Sequence, residues 1–155
     1  MKDTEIYEKS VYLNYPSSTI KSHSEVLFEE YCNQSDFVKW YYKNGEKSPN
    51  YFSLVYVDAI NHKWHFYPDY ILCDKDDNVW IIEAKGGENK NNQSKNIDLK
   101  AENKFAALKE YATKNKIKWG FVRDYEKNNK LYFSNTEYVE DLKSDCWIAL
   151  NKIFK

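Results

Sequence analysis

Between residues 51 and 85 three apolar runs rich in aromatic and β-branched side chains follow one another at 51–60, 64–73 and 79–84. Asn61-His62 separates the first two, and D-K-D-D-N (74–78) separates the second from the third. Short polar breaks of turn composition between such runs predict three consecutive strands in an antiparallel meander. Helical periodicity brackets them. Ahead of the strands, Ser22 and Ser24 offer N-caps for a helix over about 25–33, whose Leu27, Phe28, Tyr31 and Cys32 gather into one stripe. After a Gly/Asn-rich loop from Gly86, residues Ile97, Ala101, Phe105, Leu108 and Ala112 line one face of a helix predicted over 96–114. I-K-W-G-F-V-R (117–123) reads as a further strand and K-L-Y-F-S (130–134) as a short one beside it. From about Thr136, the spacing of Tyr138, Leu142, Cys146, Ala149 and Ile153 predicts one or two closing helices. Residues 1–20 are tyrosine-rich with weak alternation, and either add an edge strand or drape over the core. The expected class is an α/β sandwich in which helices cover a mixed sheet.

Composition narrows this little. A chain of 155 residues suits one domain with its own core, and 42% hydrophobic residues exclude a disordered chain. No apolar run approaches the roughly 20 residues of a membrane span, and M-K-D-T-E-I-Y-E is no signal peptide. Cys32, Cys73 and Cys146 are odd in number and far apart, which points to buried thiols in a reducing cytoplasm. The net charge of −1 conceals a basic segment, because between Lys85 and Lys118 nine lysines face four acids. A basic stretch on an otherwise acidic body suggests a side that faces a polyanion.

Chemistry is expected where the apolar pattern breaks. In Val79–Lys85 a period of two sets Val79, Ile81, Glu83 and Lys85 on one face and Trp80, Ile82 and Ala84 on the other. A carboxylate and an ammonium thus emerge side by side from a strand otherwise fit for a core, where unpaired charge costs several kcal/mol. Asp69, after Pro68 on the preceding strand, supplies a second carboxylate, and Glu25 at the margin of the first helix's stripe is a third acid that could arrive there. Glu29 is the reserve candidate on that helix. Two carboxylates on neighbouring strands, with the Ala84 carbonyl as a third ligand, could hold Mg2+ and leave waters for exchange with phosphate. Lys85 would then orient or acidify a water and offset charge on phosphorus. The same three residues could instead be a solvated face with a cross-strand ion pair. The apolar V-W-I-I run before Glu83 and the Gly86-Gly87 pair after Lys85 argue against that.

P-D at 68–69 and E-A-K at 83–85, in the order α-β-β-β-α-β, resemble the PD-(D/E)xK nuclease superfamily. The blocks V-K-W-Y-Y-K-N-G, F-Y-P-D-Y-I-L, V-W-I-I-E-A-K-G-G, S-K-N-I-D-L-K-A-E-N-K-F-A-A-L-K-E-Y and K-W-G-F-V-R-D come in that order. Together they are similar to the C-terminal endonuclease domain of type III restriction Res subunits and related DEAD/DEAH-box helicase proteins, over about 25–147. The resemblance implies a restriction-endonuclease-like fold filling 1–155 as one domain, with 1–20 an extension and 136–155 a helical addition. It implies Asp69 and Glu83 as metal ligands, Lys85 as the catalytic lysine, and Glu25, in an E-x-x-F pattern with Phe28, as the acid of the first helix. The implied activity is Mg2+- or Mn2+-dependent hydrolysis of DNA phosphodiesters in phage defence, with a helicase module in cis and a methyltransferase/specificity subunit in trans. The chain departs from the family in carrying no Walker-type G-x-x-x-x-G-K-[ST], so it would be an excised domain or a free-standing relative. A catalytically silent nucleic-acid-binding or assembly module of the same fold, or a nuclease on RNA or single strands, are the competing readings.

Lys90, Lys95, Lys100 and Lys104 are the candidates for phosphate contacts, with a solvated helix face as the alternative. His23, His62 and His65 are not expected to be catalytic. Trp64, Trp80, Trp119 and Trp147 read as core residues before base-stacking platforms. Arg123, the single arginine, reads as half of an ion pair at a strand end before Asp124.

Overall fold

The computed structural model describes residues 8–11, 22–45, 49–86, 101–125 and 129–155. Ser22 opens α1 (His23–Gln34) with a reciprocal capping box, its hydroxyl accepting from the Glu25 N–H while the Glu25 carboxylate accepts from the Ser22 N–H at 2.7 Å. Then come β1 (Val38–Lys43), β2 (Leu54–Val57), β3 (Lys63–Phe66), β4 (Tyr70–Asp74) and β5 (Val79–Lys85). They are followed by α2 (Ala101–Asn115), β6 (Lys118–Tyr125), β7 (Lys130–Ser134), β8 (Ile148–Ala149) and α3 (Leu150–Ile153). Six strands form a mixed sheet in the order β1-β4-β5-β6-β7-β8, in which only the β5–β6 pairing is parallel. The α/β class with helices against a mixed sheet is therefore observed. At its β1 edge, Ser10 bridges Tyr41, so residues 8–11 extend the sheet.

The first strand of the meander is not the one expected. Of residues 51–60 only Leu54–Val57 form a strand, which pairs with β3 in a separate two-stranded sheet, and β1 takes the place beside β4. V-K-W-Y-Y-K carries the aromatic, β-branched composition of a strand. The run 64–73 is also two strands. Pro68 has no N–H for a ladder, and the chain turns out of β3 at residues 67–69 before β4 begins. Buried Asn44 fixes this corner: its amide donates to the Pro68 carbonyl at 2.9 Å, and its backbone N–H donates to the Asp69 carbonyl at 2.8 Å.

Each face of the sheet has its own core. On the α1 side Phe28 and Cys32 pack with Tyr41, Tyr70, Trp80 and Ile82. On the α2 side Phe105, Leu108 and Ala112 pack on Ile81, Trp119 and Phe121, and Leu54, Tyr56 and Phe66 bring the β2–β3 hairpin onto the same core. β5 lies between an antiparallel and a parallel neighbour and is buried from Trp80 to its end, which explains its near-continuous apolar run. The α2 stripe lands as spaced, with Ala101, Phe105, Leu108 and Ala112 buried; Ile97 lies outside the described residues.

The closing segment departs from the helical expectation. From Thr136 the chain runs through turns, and only α3, four residues long, is helical. The Asp141 side chain accepts from the Lys143 N–H at 2.9 Å, a local bond that competes with helix. The carbonyls of Val139 and Glu140 are taken by Arg123 and Trp147 rather than by helical N–H groups.

Candidate functional site

The β4–β5 register pairs Tyr70 with Ile82 and brings the residues just beyond, Asp69 and Glu83, side by side at the end of the ladder. The Asp69 N–H donates to Glu83 Oε2 at 3.2 Å, and Asp69 Oδ2 accepts from the Ala84 N–H at 2.9 Å. Lys85, two residues on from Glu83 on the same face, sets Nζ 3.0 Å from Glu83 Oε1. Asp69, Glu83 and Lys85 thus converge, with Glu83 and Lys85 both buried.

Glu25 joins this group indirectly. Lys43, the last residue of β1, places its ammonium against the Glu25 carboxylate and 3.2 Å from Asp69 Oδ1, with its charge 4.6 Å from the centre of the Tyr70 ring. An ammonium therefore stands between the first-helix acid and the strand acids. Glu29, the reserve candidate, is fully buried and accepts from the Tyr70 hydroxyl at 2.7 Å, in the core between α1 and β4. Lys43 was missed from the sequence. Its block belonged to the resemblance, but without β1 beside β4 nothing aimed its side chain at Asp69.

The charges perturb one another. Burial, and then the neighbouring Asp69 charge, push the Glu83 carboxyl up to about 8; Lys85 and Lys104 offset this only in part. Asp69 is raised by burial and by Glu25, against the pull of Lys43. Burial works against both members of the Glu25–Lys43 pair. Even so, Glu25 is lowered by Lys43 and its capping bonds, and Lys43 is raised by Asp69 and Glu25.

Asp69 and Glu83 lie in a cleft of about 430 Å3 whose other walls are Trp64, His65, Phe66, Tyr67 and Lys104. Lys104, from α2, lies 5.5 Å from the centre of the Phe66 ring. Of the lysines expected to meet phosphate it alone falls within the described residues; Lys90, Lys95 and Lys100 do not. Trp64, expected in the core, is 37% exposed, whereas Trp80, Trp119 and Trp147 are buried. Arg123 is fully buried, donating through Nη1 to the carbonyls of Val139 (3.2 Å) and Glu140 (2.8 Å) and lying over the Trp147 ring. It anchors the closing segment and is not the partner of Asp124, which points to the other face of β6. His62 and His65 are exposed, and His23 meets Asn129 at 3.2 Å, away from the carboxylates.

Among the described residues no three His, Cys, Asp or Glu side chains cluster for a metal ion. The available donor set is the Asp69–Glu83 pair. It is hard and all-oxygen, and burial together with the Asp69 charge keeps the Glu83 carboxyl raised. Mg2+ is commonly bound through one or two carboxylates while keeping several waters, so the pair fits such an ion. Among the described residues no helix is long and apolar enough to cross a membrane. Comparison with known proteins returns no matching family model, no matching curated protein and no matching solved structure.

Proposed function

We propose that this chain is a Mg2+-dependent DNA endonuclease domain of the PD-(D/E)xK type with a restriction-endonuclease-like fold. The observation that carries the reading is the direct contact of Asp69 with Glu83 at a sheet end, with the Lys85 ammonium 3.0 Å from the second carboxylate, inside a cleft. Asp69, Glu83 and the backbone carbonyl of Ala84 would hold Mg2+ or Mn2+. When bound, such an ion supplies Lewis acidity and an acidified water. Lys85 contributes a fixed positive charge beside Glu83, where negative charge grows on phosphate oxygens during hydrolysis. Lys43 and the capping box of α1 fix Asp69 and Glu25 before substrate arrives, so little reorganisation is left for the reaction. Lys104 adds a cation at the cleft for the sequence-independent part of phosphate binding. The proposed setting is a type III restriction system in the cytoplasm, with a helicase module in cis and a methyltransferase/specificity subunit in trans that chooses the site.

One observation favours a second reading, a silent nucleic-acid-binding or assembly module. Lys43 pairs with both Glu25 and Asp69, as it would in a purely structural network. Supercoiled plasmid incubated with Mg2+ or Mn2+ separates the two. Nicking that is abolished by Asp69→Ala, by Lys85→Ala and by chelator is expected. DNA binding by all three proteins with no cleavage by any would overturn the nuclease reading in favour of the silent module.

A further inference from the structure

The β2–β3 hairpin stands apart from the six-stranded sheet, and its second strand leads straight into the corner that carries Asp69. The chain there reads W-H-F-Y-P-D, four consecutive aromatic rings before the carboxylate. Their environments differ. Phe66 is 1% exposed and belongs to the core beneath Lys104. Trp64, on the same face of β3, keeps over a third of its surface open. The Trp64 indole is nonetheless held: its Nε1 donates to Asp58 Oδ2 at 2.8 Å, and His62 packs edge-on to its ring at 6.3 Å. Tyr67 lies nearly parallel to His65, with ring centres 6.1 Å apart and planes 28° apart. Trp64, His65 and Tyr67 line one continuous cleft with Asp69 and Glu83.

We propose that this cleft receives an unstacked nucleobase, so that the substrate class of the site is single-stranded or locally opened nucleic acid; the inference rests on the nuclease reading above. Three features select that occupant. The walls are aromatic side chains, of which Trp64 is anchored by its bond to Asp58, and aromatic rings stack on any base without reading its sequence. The cleft, at about 430 Å3, falls in the ordinary range of small-molecule sites, roughly 300–1,000 Å3, and is too small for a duplex to enter whole. Its polar end combines the Lys104 ammonium with the Asp69–Glu83 pair, so a base seated against Trp64 leaves its own phosphate beside the groups proposed to cleave it. An intact duplex keeps its bases stacked and offers none to the rings.

The test uses the full chain in chelator, so that nothing is cut, with an oligothymidylate and a hairpin duplex as probes. Trp64 is the most exposed of the five tryptophans, so intrinsic fluorescence reports stacking directly while anisotropy of a labelled probe reports affinity. The expected result is quenching by the single strand and a loss of single-strand affinity of about tenfold in Trp64→Ala. Trp64→Phe should restore most of that loss, and duplex affinity should be the same in wild type and variants. Equal losses for both probes, no loss for either, or no quenching overturns the inference. If plasmid nicking by the wild-type chain persists in those cases, the nuclease reading stands without it. Failure to bind either probe together with absence of nicking removes both.

Discussion

Replacing Lys43 by methionine isolates the charge that joins α1 to the strand acids. Methionine keeps about the length of the lysine stem and deletes the ammonium, and with it the charge over the Tyr70 ring. The three side chains are largely buried, with 12% of Lys43, 14% of Glu25 and 19% of Asp69 exposed, so solvent screens them weakly. Removing one member of a buried ion pair costs about 3–5 kcal/mol, mostly because the other charge is left uncompensated. Two features keep the cost at the lower end. Glu25 retains the Ser22 N–H and Asp69 retains the Ala84 N–H as donors, and the residual exposure admits some water. The expected loss is about 3 kcal/mol, equivalent to a fall of roughly 6–12 °C in Tm for a domain of this size. Thermal unfolding in chelator, followed by circular dichroism, measures it. Lys39→Met is the control: the Lys39–Asp77 pair, at 2.6 Å, is exposed on both sides, and its removal should leave Tm unchanged. Lys43→Arg should recover part of the loss. If Lys43→Met melts with the control, Lys43 does not neutralise the two acids and the electrostatic account of the site is wrong.

Glu83→Gln should alter the pH dependence of stability in chelator. A carboxyl held at about 8 in the folded chain, against about 4.5 unfolded, makes the native state the better proton binder between those values, so this group's contribution falls as pH rises through that window. The difference in Tm between variant and wild type should therefore move in the variant's favour from pH 5 to pH 8 and level off above; parallel curves refute the raised carboxyl. Tyr70→Phe takes a donor from buried Glu29, and urea unfolding should report a loss of about 1–3 kcal/mol. Gly120→Ala sets a methyl group against the ring of buried Phe133 on β7 and should cost about 1–3 kcal/mol by the same assay.

What the sequence disclosed follows the range of each signal. The Asp74 turn could be read because its chemistry is local: one carboxylate accepts the N–H groups of Asp76 and Asn78, and Trp80 Nε1 as well. The α2 stripe and the face shared by Ile81, Glu83 and Lys85 were equally visible, since periodicity alone sets them. Partner choice across the sheet is not local. Residues 38–43, where no strand was expected, and residues 51–60 both have strand composition, and nothing in either run says which pairs with β4; burial of Tyr41 and the Asn44 clamp decide it. Lys43 depended on that choice and was missed with it. Trp64 was misjudged for the opposite reason. An apolar residue in an apolar run reads as core, but the break at Pro68 detaches β3 from β4 and leaves the indole at the cleft. At the C-terminus an i, i+4 spacing read as helix, because the spacing does not reveal that the single buried arginine holds the Val139 and Glu140 carbonyls.

The two functional readings differ in what they ask of buried charge. Burying ionic groups rarely adds stability over apolar side chains of similar volume, and here Glu83 sits in an environment that pushes its carboxyl up to about 8. A network built only for structure would gain by pairing every acid fully. This one does so unequally: Lys43 is shared by Glu25 and Asp69, whereas Glu83 has Lys85 at 3.0 Å and is still pushed up to about 8, first by burial and then by the Asp69 charge. Burial and the Asp69 charge are thus only partly offset at a carboxyl that lines the cleft, where a divalent ion would offset them further. Raised carboxyls of this kind cluster at functional sites, although structural networks produce them too. The decisive quantity is therefore whether Mg2+ lowers the Glu83 pKa. If the pH dependence assigned to Glu83 vanishes when Mg2+ is added to the wild-type chain but not to Asp69→Ala, the raised carboxyl belongs to a binding site; if it is indifferent to the ion, the acids are structural.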